Sequence, residues 1–165
     1  MEKYLEIIDK IPASTNPKVP EPAAKLLHFT DIQLRFTDVD MLGHINNNSY
    51  LQFMDLAKTR FFTDLRGDII HWDNPGIVIA NINISFYAQA FMGEKLGVLT
   101  GVVSISERSF ILEQRIVNIE TGVVNCIAHI VMVAYSKKTM KSTLLSDDWR
   151  RALSLLISPE ADCKI

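Results

Sequence analysis

Cysteine is scarce in this chain. Its 165 residues include only two, Cys126 and Cys163, one in a β-like run and one in a polar tail. That spacing excludes a redox pair or a zinc knuckle, and Cys126 reads as a reduced, buried thiol. The histidines His28, His44, His71 and His129 are scattered, so no zinc pattern forms and no metal site is expected. A surplus of one charge is missing as well. Seventeen basic against nineteen acidic side chains give a net charge of -2, which removes the electrostatic case for a nucleic-acid partner. No apolar stretch approaches the roughly 20 residues that cross a bilayer. The segment Met1–Asp9 is charged throughout with no signal-like apolar core, so a soluble, cytoplasmic protein is the expectation. No glycine-rich phosphate loop is present, no serine sits in a nucleophile elbow, and no βαβ rhythm supports a doubly wound sheet.

What is present suits one globular domain. Hydrophobic residues make up 48% and charged residues 22%, which is too apolar for a disordered chain. A chain of this length buries roughly 70% of its extended surface and needs no covalent staple. Residues 1–27 read as an N-terminal arm, since Pro12, Pro17, Pro20 and Pro22 stiffen it and no helix tolerates them. The arm is expected along the surface, within reach of a neighbouring subunit. Residues 28–145 form the domain proper, and 146–165 a short amphipathic helix (147 to about 157) and tail.

Within the domain, residues 28–37 are β-like. From Ser49 to about Leu65, apolar residues recur at spacings of three and four: Tyr50, Phe53, Met54, Ala57, Phe61 and Leu65. With Leu51 and Phe62 added, this helix should be heavily buried. Asn48 or Ser49 is the expected N-cap, and Ser49 with Gln52 has capping-box spacing. Residues 77–87 alternate, with Val78, Ala80, Ile82, Ile84 and Phe86 on one face and Asn81, Asn83 and Ser85 on the other. Three more strands follow over 95–106, 110–119 and 123–135, with a tight hairpin at Glu120-Thr121-Gly122. One strand, one long helix and a four-stranded meander predict an α+β fold, a curved antiparallel sheet wrapped around the helix. The later strands are apolar on both faces. One face covers the helix, and self-association is the economical cover for the other.

Chemistry concentrates in one place, Asp38-Val39-Asp40-Met41-Leu42-Gly43-His44-Ile45-Asn46-Asn47-Asn48, at the join of strand and helix. Free amides of a first helical turn favour an oxygen that gains negative charge. A carboxylate beside them is minimal equipment for acyl transfer or hydrolysis. Gly43 permits a tight turn or a close backbone approach. The same string also reads as a hydrogen-bonded turn in which the Asp and Asn side chains satisfy backbone amides. Asn81, Asn83 and Ser85 either meet solvent or line a cleft.

The string from Arg35 to Tyr50, continued by Asp55-Leu56-Ala57-Lys58-Thr59-Arg60, resembles the signature of hotdog-fold acyl-CoA thioesterases of the 4-hydroxybenzoyl-CoA thioesterase type. The segment Tyr87-Ala88-Gln89-Ala90-Phe91-Met92-Gly93-Glu94 is similar to that family's entry into its second long strand. The resemblance implies a thioesterase that releases coenzyme A from acyl-CoA, needs no separate cofactor, and works as a homodimer with active sites at the interface, dimers pairing again into homotetramers. It implies Asp40 as nucleophile or general base. Amides near Asn46, Asn47, Asn48 and Ser49 would hold the oxyanion, with Gly43, His44 and Asn46 shaping the loop and Tyr50 lining the acyl site. Arg60 is expected in an ion pair, with Asp38 its foremost candidate. Phe53, Phe61, Trp72 and Phe86 are candidate pocket walls. The motif also resembles acyl-carrier-protein thioesterases, although those carry an asparagine where this chain has Leu42. A non-catalytic acyl-thioester- or lipid-binding hotdog protein is the remaining alternative.

Overall fold

The apolar stripe of the long helix decides the architecture. In the computed structural model, which describes residues 2–66 and 76–157, α2 (Asn47–Arg66) buries Tyr50, Phe53, Met54, Ala57, Phe61 and Phe62. They pack against inward side chains of an antiparallel sheet, among them Val98, Leu112, Ile116, Ile130 and Met132. The expected pocket wall at Trp72 lies outside the described residues, as do His71 and Cys163.

The sheet contains β1 (His28–Ile32), β2 (Gly76–Phe86), β3 (Leu96–Ile105), β4 (Ser109–Asn118), β5 (Val124–Ser136) and β6 (Lys141–Ser142). Its order is β1-β3-β4-β5-β2, with β6 short and paired to β5. Only β3, β4 and β5 form a meander. Strand β2 crosses to the far side of β5, so the four-stranded meander expected from sequence is corrected by one long crossover. The first strand also stops at Ile32, and Phe36–Asp38 turn into a 3-10 helix instead of continuing it.

A β-bulge between Ile79 and Asn81 resets the alternation of β2. Ile77 joins the core opposite Ala134, whereas Val78 faces Val133 in the other phase. Beyond the bulge Ile82, Ile84 and Phe86 pair with Ile130, Ala128 and Cys126. One unbroken apolar face from Val78 to Phe86 is therefore not formed, because an extra residue moves side chains to the opposite face. Cys126 is fully buried and burial pushes its thiol up to about 12, so it is an inert core residue.

Part of the outer face of the sheet is covered by the chain itself. Phe29, Leu99, Val117, Val124 and Ile127 pack under Tyr4, Ile8, Ile11, Val19 and Leu26. Part of the surplus apolar face thus finds a second layer in the N-terminal arm, while Val103, Val131 and Val133 beyond it remain only half-buried. The arm begins with a 3-10 turn (Glu2–Tyr4) and α1 (Leu5–Ile8) and continues extended. Asp64 on α2 anchors it, accepting from Lys3 Nζ at 3.0 Å and from the Tyr4 hydroxyl, while His28 Nε2 lies 3.2 Å away. Further on, the Ala23 N–H donates to Glu113 at 2.7 Å. Two glycines let the arm lie this close. A Cβ at Gly101 would stand 2.5 Å from the Lys25 carbonyl oxygen, and Gly122 (φ +73°) meets the Pro12 carbonyl.

The C-terminal helix α3 (Asp147–Ser154) starts at Ser146, whose Oγ accepts from the Trp149 N–H. It ends short of the expected Ile157. Trp149 and Leu153 close the end of the core beside Phe62 and Phe110.

Candidate active site

Asp40 sits in the turn that links the 3-10 helix to α2. Its N–H donates to the His44 carbonyl at 2.8 Å, and its carbonyl accepts from Gly43 N–H at 3.1 Å. Gly43 takes φ +79°, which a Cβ would disfavour. The Asp40 carboxylate folds back on the same turn, and its Oδ1 accepts from the N–H groups of Leu42 (2.8 Å) and His44 (3.2 Å). Both bonds fall on one oxygen. Oδ2 has no partner among the described residues.

Asp38 plays a different part. It is 2% exposed, and its carboxylate is taken by Arg35 through Nη2 at 2.7 Å, Nε at 3.2 Å and the backbone N–H at 2.8 Å. The guanidinium bonds hold its carboxyl below the usual range. This corrects the expected Asp38–Arg60 pair. Arg35 lies on the same turn and reaches Asp38 first, while Arg60 stands exposed on α2. Arg60 borders a separate hollow of about 480 Å³ with Asp31, Arg35, Gln52 and Phe53. That hollow is larger than the one at Asp40, but it lacks the carboxylate and first-turn amides together.

The start of α2 is capped earlier than the spacing predicts. Asn46, not Asn48 or Ser49, is the N-cap. Its Oδ1 accepts from Asn48 N–H and its carbonyl from Ser49 N–H, each at 2.9 Å. The Ser49 hydroxyl is then free to donate to the Asp38 carbonyl at 3.3 Å, so no Ser49–Gln52 box forms, and Gln52 accepts from Arg35 instead. The Asn46 N–H also donates to the Asp38 carbonyl, at 2.7 Å. Of the amides from Asn46 to Ser49, only that of Asn47 remains without a partner among the described residues.

Asp40 and Asn47 border one open cleft of about 390 Å³ with His44, Ile45, Tyr50 and the segment Phe86–Gln89. The second wall comes from the end of β2, which the crossover brings beside the turn. Backbone bonds fix the two together, with Ile45 N–H donating to the Ala90 carbonyl at 2.8 Å and His44 bridged to Phe91. The His44 ring stands edge-on to Phe91 at 5.1 Å. Tyr50 is buried, meets Phe86 edge to face at 5.4 Å, and has its phenol pushed up to about 12 by burial. It both packs in the core and borders the cleft.

Asn81, Asn83 and Ser85 lie along β2 outside the cleft, and Asn48 and Ser49 do not border it. Phe53 and Phe61 belong to the core, with only Phe86 of the expected aromatic walls at the cleft among the described residues. Tyr87, Ala88 and Gln89 are wall residues that residue patterns do not single out. Their signal is their place just after an alternating strand, and only the crossover makes it meaningful.

Residues 34–153 match the family described as the thioesterase-like superfamily. Over 131 residues, 78% of this chain and 98% of the relative, the sequence is 28% identical to the long-chain acyl-CoA thioesterase FadM of Escherichia coli (strain K12). Over 116 residues, 69% of this chain and 86% of the relative, it is 24% identical to the acyl-CoA thioester hydrolase YbgC of Escherichia coli O6:H1. Among solved structures it is similar to YbaW, a probable thioesterase from Escherichia coli. The TM-score is 0.67 at 26% identity, with 80% of this chain and 100% of that one covered.

Proposed function

The chain belongs to the thioesterase-like superfamily, and from that premise we propose that it hydrolyses acyl-CoA thioesters to the free acid and coenzyme A in the Asp40 cleft. The observation that carries this reading is the division of labour within one carboxylate. Oδ1 is anchored by two amides, and Oδ2 is unpartnered among the described residues, in a cleft that also holds an unpaired first-turn amide.

Either of two routes fits that arrangement. In the first, Oδ2 attacks the thioester carbonyl carbon, the carbonyl electrons move to oxygen, and the C–S bond breaks to release thiolate. Water then hydrolyses the resulting anhydride. In the second, Oδ2 takes a proton from water as the water attacks the same carbon. Both develop an oxyanion, and the Asn47 N–H at the positive end of α2 is its donor. His44, Asn46 and Asp38 position the turn and carry no chemical step.

The active form is a homodimer joined along β2. Among the described residues that strand has no neighbour on the side away from β5, it is long, and it exposes Val78, Ile79, Ile82 and Phe86. Phe86 ends the strand at the cleft, so a second copy there would stand beside both active sites, with Asn81, Asn83 and Ser85 at the junction. Leu42 in place of the asparagine of carrier-protein enzymes favours coenzyme A as the carrier.

The test is free-thiol release from short, long and aromatic acyl-CoAs and from an acyl-carrier-protein thioester. Turnover of an acyl-CoA supports the proposal. Release from the carrier protein alone would reassign the substrate, and no release from any would leave a binding protein.

A further inference from the structure

The outer face of the sheet holds a cavity of about 260 Å³ that the Asp40 chemistry does not use. Ile11, Val19 and Leu26 of the arm and Leu99, Val117 and Val124 of the sheet supply apolar walls. One charged side chain within it is buried, that of Arg115, only 5% exposed. Glu21 also borders the cavity, at its exposed rim.

The hydrogen bonds of Arg115 are unevenly met. Its Nε donates to Glu113 Oε1, and neither Nη group has a protein acceptor among the described residues. Glu113 has nothing more to offer. Its Oε2 accepts from Ala23 N–H at 2.7 Å and faces His129 Nε2 at 3.4 Å. The Nη groups are not among the sealed polar atoms that lack a partner, so they open onto the cavity and its solvent and are free to take a ligand. A guanidinium with two free Nη groups presents a fork that fits a carboxylate. Ligand cavities usually run from roughly 300 to 1,000 Å³, so the occupant of this one is small.

We propose that this cavity binds a short- or medium-chain alkanoate, its carboxylate on the Arg115 Nη groups and its tail between arm and sheet. The site is separate from the Asp40 cleft, with which it shares no lining residue among the described residues, and the proposal does not depend on what that cleft does.

Calorimetric titration of octanoate into the full chain tests it. One saturable site is expected, with octan-1-ol at least tenfold weaker because it lacks the carboxylate. Val19→Trp, which fills the cavity from the arm side, should weaken octanoate at least tenfold and leave thiol release from acyl-CoA unchanged. The paired change Glu113→Gln with Arg115→Met keeps an acceptor for Ala23 and removes both charges with the fork. It should lose octanoate binding while retaining the wild-type circular dichroism spectrum, which guards against an unseated arm in the tryptophan variant. Three results would overturn the proposal: no saturable binding, octanol as tight as octanoate, or unchanged octanoate affinity in both variants, which would place the ligand elsewhere.

Discussion

Arg35 holds Asp38 by two guanidinium bonds and a backbone N–H, while the Asp38 carbonyl holds Asn46 N–H and the Ser49 hydroxyl. One buried residue thus ties the exit of the 3-10 helix to the start of α2, and Asp40 hangs in the turn between them. Asp38→Ala should cost about 1–3 kcal/mol of stability from the lost bonds, read as a lower melting temperature, and should reduce kcat more than it changes KM. The pH dependence has a definite sign. The folded carboxyl titrates below its unfolded value, so its contribution is present above about pH 4 and is lost as pH falls through the folded value. The acid limb of a stability profile should be shallower in Asp38→Ala.

Asn47 is the first residue of α2, where proline is tolerated because its missing N–H has no helical partner. Asn47→Pro therefore removes the proposed oxyanion donor and keeps the helix. Loss of one such donor costs roughly 100- to 1,000-fold in kcat. We expect that loss with an unchanged circular dichroism spectrum. Full activity in this variant would reassign the oxyanion donor.

His28 is fully buried, and burial lowers its pKa to about 4 despite the attraction of Asp64. The unfolded chain takes up a proton near pH 6.5 and the folded chain only near 4. Stability is therefore full above about pH 6.5 and falls as pH drops toward about 4. Denaturant unfolding at several pH values should show this slope, and His28→Gln should flatten it.

The arm covers part of the outer face because Gly101 and Gly122 leave room for its backbone. Gly101→Ala sets a methyl 2.5 Å from the Lys25 carbonyl oxygen, so the arm or the strand must shift. Limited proteolysis should cut the segment around residues 12–24 faster in this variant. Light scattering should report self-association through the uncovered Phe29, Leu99, Val117, Val124 and Ile127.

The helix and the polar string beside it were legible in the sequence because both signals are local. Spacings of three and four show the buried stripe from Tyr50 to Phe61, and an acidic, glycine-containing string marks a turn at a helix start. Features that depend on distant pairing were not. The bulge near Ala80 inserts one residue that no alternation reveals, and it moves Val78 off the core face. The crossover that brings Phe86–Gln89 to Asp40 is a property of the sheet. The Pro-rich arm spells an extended chain, but only Gly101, Gly122 and Glu113 across the sheet show where it lies. The pairing of Arg60 with Asp38 depends on a distance that sequence does not give, and Arg35 prevails because a three-residue turn closes at lower entropic cost.

The central claim is that the unpartnered oxygen of Asp40 does the chemistry. Asp40→Asn tests it most directly, because an asparagine Oδ1 can still accept from Leu42 and His44 and hold the turn. Thiol release from the best acyl-CoA should fall at least ~100-fold, with the melting temperature and oligomeric state unchanged. Turnover equal to wild type in a folded Asp40→Asn protein would contradict the account.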